Sequence, residues 1–580
     1  MIDRCWRRCG EGLRRAQAPI RSGGNCRSII FSVFRGYRPV VTQVATTRES
    51  ASETARVGIA EAWFGWGVAG CVFAVATFLF ARLTAWPPHE DETLALFVGR
   101  QPLGRLLDIV LEERGGAPLH YLLAALAAHS GGGLTALRLG SALFALASLP
   151  LVALLVARLA GRAVGLVTTV LVSASWVLLF HGVYGRMYSL FLFTSALSYL
   201  TLLWAIDRGG TWRFGLWGLA AIACVASHPY GALVLASQGL YVLLVRRRVR
   251  AAVVAFAAVG VVGTPFWLAD LRLANRFDVG VTGTESGKLG SPLPVLQYLK
   301  DVAGDFTAGW WVLLVPILAL AAFGARELWR QSRRSAYLVA CAVATPTLAL
   351  LLARLGSSAS PETRHLIFVL PFFMLLLATA LVSLGRRYGR SVGACALAAL
   401  VVAEVGWAYE KTPQLFTGDP SARVAAREAA GRWLAATSRP DDVFFGYEPV
   451  YLEASDLNSG VARIVIPRAD PKLAATRLDA LPRPLGRGVW VFDAYDTNNC
   501  TCTRGLTIEQ RLPAPARDYE ARVFGPYLVL RTREATVTPA EYLDRTARVM
   551  VVGKSLFIGD ADINFVTVRR AADRLGLLDY

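Results

Sequence analysis

The chain has 580 residues, of which 54% are hydrophobic and 18% are charged, and its mean hydropathy is +0.43. A soluble protein of this size is less apolar, so many segments must lie in lipid and the sequence predicts a multi-pass membrane protein. The net charge of +19 comes from short basic clusters between apolar runs, which is typical of cytoplasmic loops and excludes a nucleic-acid-binding protein. No spacing among the nine cysteines makes a zinc site.

Residues 1–58 are rich in Arg, Ser and Gly and have no apolar periodicity, which predicts a disordered basic cytoplasmic tail. A cleaved signal peptide is not expected, because the first apolar run begins too far into the chain and lacks a small-residue cleavage site. A start codon assigned too early would explain this segment equally well, so whether it belongs to the natural protein stays open.

Eleven apolar stretches predict membrane-spanning helices, since about 20 apolar residues cross the hydrocarbon core of a bilayer. They cover, approximately, residues 63–83, 134–157, 163–181, 187–206, 212–227, 229–245, 251–269, 308–325, 336–353, 365–384 and 391–409. The apolar stretch 117–128 is too short to span. We expect it to form a juxtamembrane helix within the first outer loop, residues 84–133.

The arginines orient these predicted spans. With the tail inside, all five cytoplasmic loops are rich in arginine, as the positive-inside rule requires. These are Arg158 and Arg162; Arg208 and Arg213; Arg246, Arg247, Arg248 and Arg250; Arg326, Arg330, Arg333 and Arg334; and Arg386, Arg387 and Arg390. An odd number of spans then places residues 412–580 on the outer, extracytoplasmic side of the membrane.

All six histidines fall on the predicted outer side, at span ends or in outer loops. They are His89, His120, His129, His181, His228 and His365. A one-sided distribution of histidines and acids is what an outward-facing catalytic cavity needs, although histidines at a membrane interface often only bond the backbone.

Residues 412–580 change to a mixed charged and apolar composition. A helical pattern (421–436) and strand-like segments (443–445, 463–466 and 488–492) predict a small extracytoplasmic α/β domain. Its role in acceptor recognition or as a structural cap stays open, as does the pairing of Cys500 with Cys502. The long outer loop 270–308, rich in Gly and Pro, is a candidate lid.

A cluster of acids, His89-Glu90-Asp91-Glu92, directly follows the first predicted span. Three adjacent carboxylates repel one another, so they form either a solvated turn or a site with shifted pKa values. The motif alone leaves both interpretations open.

A series of motifs identifies a family resemblance. In order they are His89-Glu90-Asp91-Glu92-Thr93, Ala117-Pro118-Leu119-His120-Tyr121, Leu137-Arg138-Leu139-Gly140-Ser141, Tyr184-Gly185-Arg186-Met187-Tyr188 and His228-Pro229-Tyr230. This order resembles bacterial membrane glycosyltransferases of the C-type (GT-C) fold, in the branch of protein O-mannosyltransferases and aminoarabinose transferases (family 39-like). Two departures are Ala117-Pro118, where the relatives usually have two prolines, and Arg364-His365, where they often have Arg-Tyr.

The resemblance implies a mainly α fold: a polytopic membrane helical bundle with a GT-C-like domain at 59–411 and an extracytoplasmic α/β domain at 412–580. It also implies transfer of a sugar from a polyisoprenyl-phosphate donor to an acceptor hydroxyl of a glycan, lipid or protein. The reaction would take place on the outer face of the cytoplasmic membrane. Transfer to an alcohol needs a base to accept its proton.

The resemblance carries roles over to particular residues. Asp91 maps onto the family's catalytic base, and Glu92 completes the catalytic pair or holds a metal or a sugar hydroxyl. His89 and Glu90 would tune Asp91. Whether a divalent metal takes part stays open.

A lipid phosphate as leaving group needs a planar bidentate donor or a metal. Arg186, between Tyr184 and Tyr188, is the candidate, and Arg364 a weaker one. Snorkelling to the membrane interface is the alternative for both.

The other expected substrate-binding residues are His120, Tyr121, His228 and His365. A structural role is open for each, and Arg138 is expected to be structural. The rival function is a polytopic transporter or a flippase of lipid-linked sugars, which would favour broken spans with charges at mid-membrane and an internal repeat.

Overall fold

The computed structural model describes residues 50–114, 117–277, 292–354, 362–467, 471–493, 519–535 and 538–546. The predicted tail before residue 50, Cys500 and Cys502, and the middle of the 270–308 loop lie outside these residues. Lid and disulfide therefore stay predictions.

Helices dominate the described part of the chain. The first four are α1 (Ser50–Arg82), α2 (Glu90–Gly99), α3 (Leu103–Ile109), which continues as a π-helix (Val110–Arg114), and α4 (Pro118–His129). The bundle continues with α5 (Gly133–Ala160), α6 (Arg162–Ala174), α7 (Trp176–Val183), α8 (Tyr188–Arg208), α9 (Thr211–Ser227), α10 (Gly231–Val245), α11 (Val249–Val262), α12 (Thr264–Phe277), α13 (Pro292–Phe306), α14 (Trp311–Gln331), α15 (Arg333–Arg354), a 3₁₀ helix (Thr363–Val369), α16 (Leu370–Tyr388) and α17 (Arg390–Lys411).

Each of the eleven predicted spans falls on a helix or a pair of helices. Within the described ranges, seven helices are long and apolar enough to cross a membrane, or nine if each of two bent pairs counts as one span. Helices α9 and α10 have only 17 and 15 residues. The multi-pass helical bundle is confirmed, while the count of eleven and the orientation stay predictions.

The predicted span 163–181 is not one straight helix. Its backbone becomes extended at Ser175 (φ −62°, ψ 134°), and α6 and α7 on either side are bent by 57°. Residues 184–187 follow α7 directly and lead into α8. The break therefore helps to direct Arg186 toward the end of the bundle where α2 begins.

The predicted juxtamembrane helix is α4, and it packs closely on α2. A Cβ atom added at Gly99 would lie 2.6 Å from the backbone carbon of Ala124, so only glycine permits this approach of the two helices. Leu96 and Ala124 are fully buried there. The close contact fixes α2, and with it the acidic cluster at its first turn.

The carboxyl-terminal part is the predicted α/β domain. Its helices are α18 (Gln414–Thr417), α19 (Ser421–Thr437), α20 (Pro449–Leu457) and α21 (Pro471–Asp479), and its strands are β1 (Val443–Phe445), β2 (Ile464–Ile466), β3 (Gly488–Asp493), β4 (Tyr519–Phe524) and β5 (Tyr527–Thr532). The strands form one sheet in the order β2-β1-β3-β5-β4. β1 pairs in parallel with β2 and β3, whereas β5 is antiparallel to β3 and β4.

This domain shares a hydrophobic core with α2, α3 and α4. Leu96 and Val98 of α2 and Tyr121 of α4 lie in the same buried cluster as Phe444 and Tyr451 of the domain. A separate cluster holds the interior of the membrane bundle. Helices α2, α3 and α4 are therefore packed as part of the carboxyl-terminal domain rather than as an isolated loop.

Candidate active site around Asp91

The acidic cluster forms the first turn of α2. The His89 side chain caps the helix, because its Nδ1 accepts a hydrogen bond of 3.1 Å from the Asp91 amide. In return the Glu92 carboxylate accepts one of 3.1 Å from the His89 amide, which completes a capping box. Carboxylates at a helix amino terminus are stabilised by the helix dipole. The sequence Glu-Asp-Glu is therefore compatible with an ordered turn.

Glu92 is a buried anchor. Arg138 donates two hydrogen bonds to it, from Nε to Oε1 (2.8 Å) and from Nη2 to Oε2 (2.7 Å). The Gly185 amide donates another at 2.7 Å. Arg138 also donates to the backbone oxygens of Leu83 (3.0 Å) and Trp86 (2.7 Å). One ion pair thus joins the end of α1, the first turn of α2 and the segment before Arg186.

Asp91 lies beside this anchor and remains 29% exposed. Its Oδ2 is 3.0 Å from the Tyr184 hydroxyl, 3.6 Å from Arg186 Nη2 and 3.8 Å from Arg364 Nη1. The Tyr184 hydroxyl is also 2.9 Å from His89 Nδ1. The structure therefore brings together five residues that the sequence predicted for the site, from three separate segments.

The electrostatics keep Asp91 ionised. Burial by itself would raise the pKa of Asp91, but the charges of Arg186 and Arg364 and the hydrogen bond from Tyr184 outweigh it and hold the pKa well below its usual range. At neutral pH the group is a carboxylate that can accept a proton. Two guanidinium groups beside it can bind an anion such as a phosphate.

Arg364 lies next to a group of aromatic and histidine side chains. Its guanidinium lies over the Tyr188 ring, 5.4 Å from the centroid, and pairs with Glu362. His228 stacks on Phe191 at 4.7 Å. His365 is 4.9 Å from Tyr230 and 6.2 Å from His228. His228 and His365 thus lie behind Arg364 and Tyr188 rather than against Asp91.

Arg186 also lines a cavity of about 360 Å³ between α4, α5 and α8. Most other lining residues are apolar, including Leu123, Leu137 and Phe144. His120 lies in the same wall, and its buried Nε2 has no hydrogen-bond partner in the structure. Burial, with the nearby charge of Arg186, lowers the pKa of His120 to about 3, so the ring is neutral. The cavity is apolar with a cation at one end.

The loop after β1 contacts the same turn of α2. The Tyr447 amide donates to Glu90 Oε1 at 3.1 Å, and the Thr93 hydroxyl donates to the Tyr447 carbonyl. Arg114 donates to the Tyr447 hydroxyl at 3.1 Å, and its guanidinium lies 5.5 Å from the Tyr447 ring centroid. Sequence reasoning missed Tyr447, because no local pattern indicates a contact with a residue 357 positions earlier.

The residues of the site do not fit a divalent metal ion. Among the residues that the structure describes, no three His, Cys, Asp or Glu side chains are grouped to hold one. Glu92 already accepts four hydrogen bonds, from Arg138 (two), His89 and Gly185. Asp91 faces two guanidinium groups, and their positive charges oppose a second cation.

Comparison with known proteins gives similarity at the level of structure. The sequence matches no protein-family profile, and no curated protein sequence matches it significantly. ArnT from Cupriavidus metallidurans, solved bound to undecaprenyl phosphate, aligns with 81% of this chain and 98% of its own at 13% identity, with a TM-score of 0.49.

Two other solved proteins align less completely. The oligosaccharyltransferase of Archaeoglobus fulgidus, solved in complex with Zn and sulfate, aligns with 73% of this chain and 68% of its own at 12% identity (TM-score 0.46). The mycobacterial arabinofuranosyltransferase AftD aligns with 73% of this chain and 35% of its own at 15% identity (TM-score 0.46).

Proposed function

We propose that the chain is a membrane glycosyltransferase that moves a sugar from a polyisoprenyl-phosphate donor to an acceptor hydroxyl, with Asp91 as the general base. The observation that carries the proposal is the position of Asp91. Its partly exposed carboxylate lies 3.6 Å from Arg186 and 3.8 Å from Arg364. A carboxylate that can accept the proton of the hydroxyl and two guanidinium groups that can bind the phosphate are thus within reach of the same sugar-phosphate bond.

The chemistry follows from these positions. The acceptor oxygen attacks C1 of the sugar while the bond from C1 to the phosphate oxygen breaks. Asp91 takes the proton of the hydroxyl, and the polyisoprenyl phosphate leaves with the bonding electrons. A general base in this role contributes about 10²- to 10⁴-fold, and bidentate guanidinium groups stabilise the charge that develops on the phosphate.

The cavity beside Arg186 supports a lipid-linked donor. Its leucines and Phe144 offer an apolar surface to an isoprenyl chain, and Arg186 at its wall would bind the phosphate end of that chain. Exposed Leu126 and Leu143 lie along α4 and α5 next to it. An isoprenyl chain gains free energy by burying apolar surface, and its charged end gains it from Arg186.

In the proposed reaction the three acids of the cluster have different roles. Asp91 is the base, because its carboxylate is the accessible one beside the arginines. Glu92 positions Asp91 and Arg186 through Arg138 and Gly185. Glu90 holds Tyr447 of the carboxyl-terminal domain. By the predicted topology, this site faces the outside of the cytoplasmic membrane.

Replacement of Asp91 by Asn tests the proposal. Full-length protein in vesicles is given radiolabelled polyisoprenyl-phosphate hexoses and pentoses, with membrane extract as acceptor, and transfer of label is measured. Asp91→Asn should bind donor but transfer it about 10²-fold or more slowly, since the amide cannot accept a proton. The matched control is Asp456→Asn, which changes an exposed aspartate paired with Arg100.

Two results would contradict the proposal. One is equal transfer by the wild type and Asp91→Asn on a verified donor. The other is movement of intact lipid-linked sugar across the vesicle membrane without transfer, which is the activity of the rival flippase.

A further inference from the structure

Arg186 and Arg364 both lie beside the Asp91 carboxylate, and in the proposed function both bind the donor phosphate. We infer that the donor phosphate and the Asp91 carboxylate compete for Arg186 and Arg364, so that donor binding releases the base for the acceptor. The inference rests on the proposed function and adds an order to it: donor first, proton transfer second.

The contacts of Asp91 with the arginines leave their donors available. The distances of 3.6 and 3.8 Å are longer than the roughly 2.7–2.9 Å of a charge-assisted hydrogen bond. The Arg186 Nε is buried and has no hydrogen-bond partner in the structure. Arg186 Nη1 donates a long bond of 3.4 Å to the Asp91 carbonyl, and Arg364 Nε pairs with Glu362. The other N–H groups of the two guanidinium groups attract the Asp91 carboxylate across a gap and can turn to a second anion.

Arg138 shows the contrasting arrangement. Its N–H groups donate hydrogen bonds of 2.7–3.0 Å to Glu92 and to three backbone oxygens. Its side chain is 2% exposed. A ligand cannot recruit Arg138 without breaking this buried network. The donors that can change partner are therefore those of Arg186 and the Nη groups of Arg364, whose Nε pairs with Glu362.

The charge balance around Asp91 follows from all the groups that face it. They are His89, Glu90 and Glu92 from its own element, Tyr184 and Arg186 from the α7–α8 connection, Tyr188 from α8, His120 and Tyr121 from α4, and Arg364 from the 3₁₀ helix with its partner Glu362. The two guanidinium groups are the permanent cations of this set. If a phosphate engages both, Asp91 loses its main stabilisation and gains an anionic neighbour.

The consequence is a base that becomes stronger when the donor is present. With the site empty, the carboxylate is held by cations and has little tendency to take a proton from an alcohol. With the donor bound, the same carboxylate binds a proton more readily. Because binding effects are reciprocal, removing the charge of Asp91 must tighten the binding of the phosphate.

This reciprocity gives the test. Binding of undecaprenyl phosphate to purified full-length protein in detergent is measured at pH 7.5 by a tryptophan-fluorescence titration, with undecaprenol as the ligand that lacks the phosphate. Asp91→Asn and Asp91→Ala should each bind undecaprenyl phosphate about tenfold more tightly than wild type, within the usual range of coupling. Arg364→Gln should bind it more weakly, and Asp456→Asn should match the wild type.

The outcomes separate this inference from the proposed function. If the wild type binds undecaprenyl phosphate no better than undecaprenol, the proposed function fails. If the wild type binds the phosphate but both Asp91 variants bind it equally or more weakly, the competition is wrong while the glycosyltransferase proposal stands.

If the Asp91 variants do not fold, a measurement on the wild type tests the competition instead. Isotope-edited infrared spectra with ¹³C-labelled aspartate follow protonation of carboxylates as pH falls, with and without undecaprenyl phosphate. A protonation step should move up by about one pH unit or more on binding, the scale of the shift that a nearby charge causes. An unchanged titration would overturn the inference.

Discussion

Glu92 and Arg138 form a two-bond ion pair in which the carboxylate is fully buried and the guanidinium is 2% exposed. The pair holds three segments that meet at the site, namely the end of α1, the first turn of α2 and the chain before Arg186. Asp91 precedes Glu92 in the sequence, and Arg186 follows Gly185, whose amide donates to Glu92. The ion pair therefore fixes the backbone next to both of these site residues.

Breaking this pair should destabilise the protein. Arg138→Met leaves an uncompensated carboxylate in the interior, which costs about 3–5 kcal/mol. The double variant Glu92→Leu/Arg138→Met removes both charges and should lose less stability. Unfolding of purified protein in detergent measures both. A loss below about 1 kcal/mol in Arg138→Met would show that the pair is not the anchor.

The planar fork of Arg186 should be needed for transfer. Arg186→Lys keeps the charge but loses bidentate binding of the phosphate, so transfer should fall at least tenfold while the unfolding temperature stays within a few degrees. The control is Arg105→Lys, at an exposed position of α3. Full activity in Arg186→Lys would leave Arg186 as an interfacial anchor.

The carboxyl-terminal domain should control the rate of transfer through Tyr447. Tyr447→Ala removes the ring that packs on Arg114 and Phe97, so the turn of α2 that carries Asp91 becomes less fixed. We expect turnover to fall more than donor affinity. Tyr447→Phe retains the ring and should restore most of the activity. A Phe variant as slow as the Ala variant would instead point to a direct role of the hydroxyl.

The buried His120 should make the protein sensitive to mild acid. Its pKa of about 3 in the folded state lies below the value near 6.5 of an unfolded chain. Between these values the unfolded state binds more protons, so stability falls as pH decreases from 6.5, by at most about 1.4 kcal/mol per unit. His120→Gln should flatten the decline of unfolding temperature between pH 6.5 and 5. Replacement of the exposed His129 should not.

The orientation of the bundle can be tested with single cysteines in a cysteine-free background. A cysteine at the exposed Leu457 should react with an impermeant reagent added outside intact cells. Cys395, near the predicted cytoplasmic end of α17, should react only after the membrane is opened. The reverse pattern would place Asp91 on the cytoplasmic side.

Local patterns predicted most of the fold. Apolar length found the helices of the bundle, and the strands β1, β2 and β3 were found from short apolar runs. Strands β4 and β5 were not predicted. The turn signal between them at Gly525 is short, and apolar and polar residues alternate only weakly along β4. The bend at Ser175 was missed as well, since a serine between two apolar runs does not distinguish a straight helix from a broken one.

The sequence predicted which residues form the site better than it predicted how they are arranged. The motifs pointed to His89, Asp91, Tyr184, Arg186 and Arg364, and these five meet in space. The sequence could not predict that the adjacent acids Asp91 and Glu92 have different partners. Asp91 and Glu92 differ by one position, yet the helical turn directs Asp91 toward Arg186 and Arg364, and Glu92 into a buried pair with Arg138.

The shared core of α2 and the carboxyl-terminal domain affects how the protein is made. Tyr447 follows Glu90 by 357 residues, which at roughly 5–20 residues per second is an interval of about 20–70 s during synthesis. Throughout that interval the apolar side of α2 has none of its later neighbours Phe444, Val450 and Tyr451. The spans can enter the membrane one after another, but the turn that bears Asp91 reaches its final place only once the last domain has been synthesised.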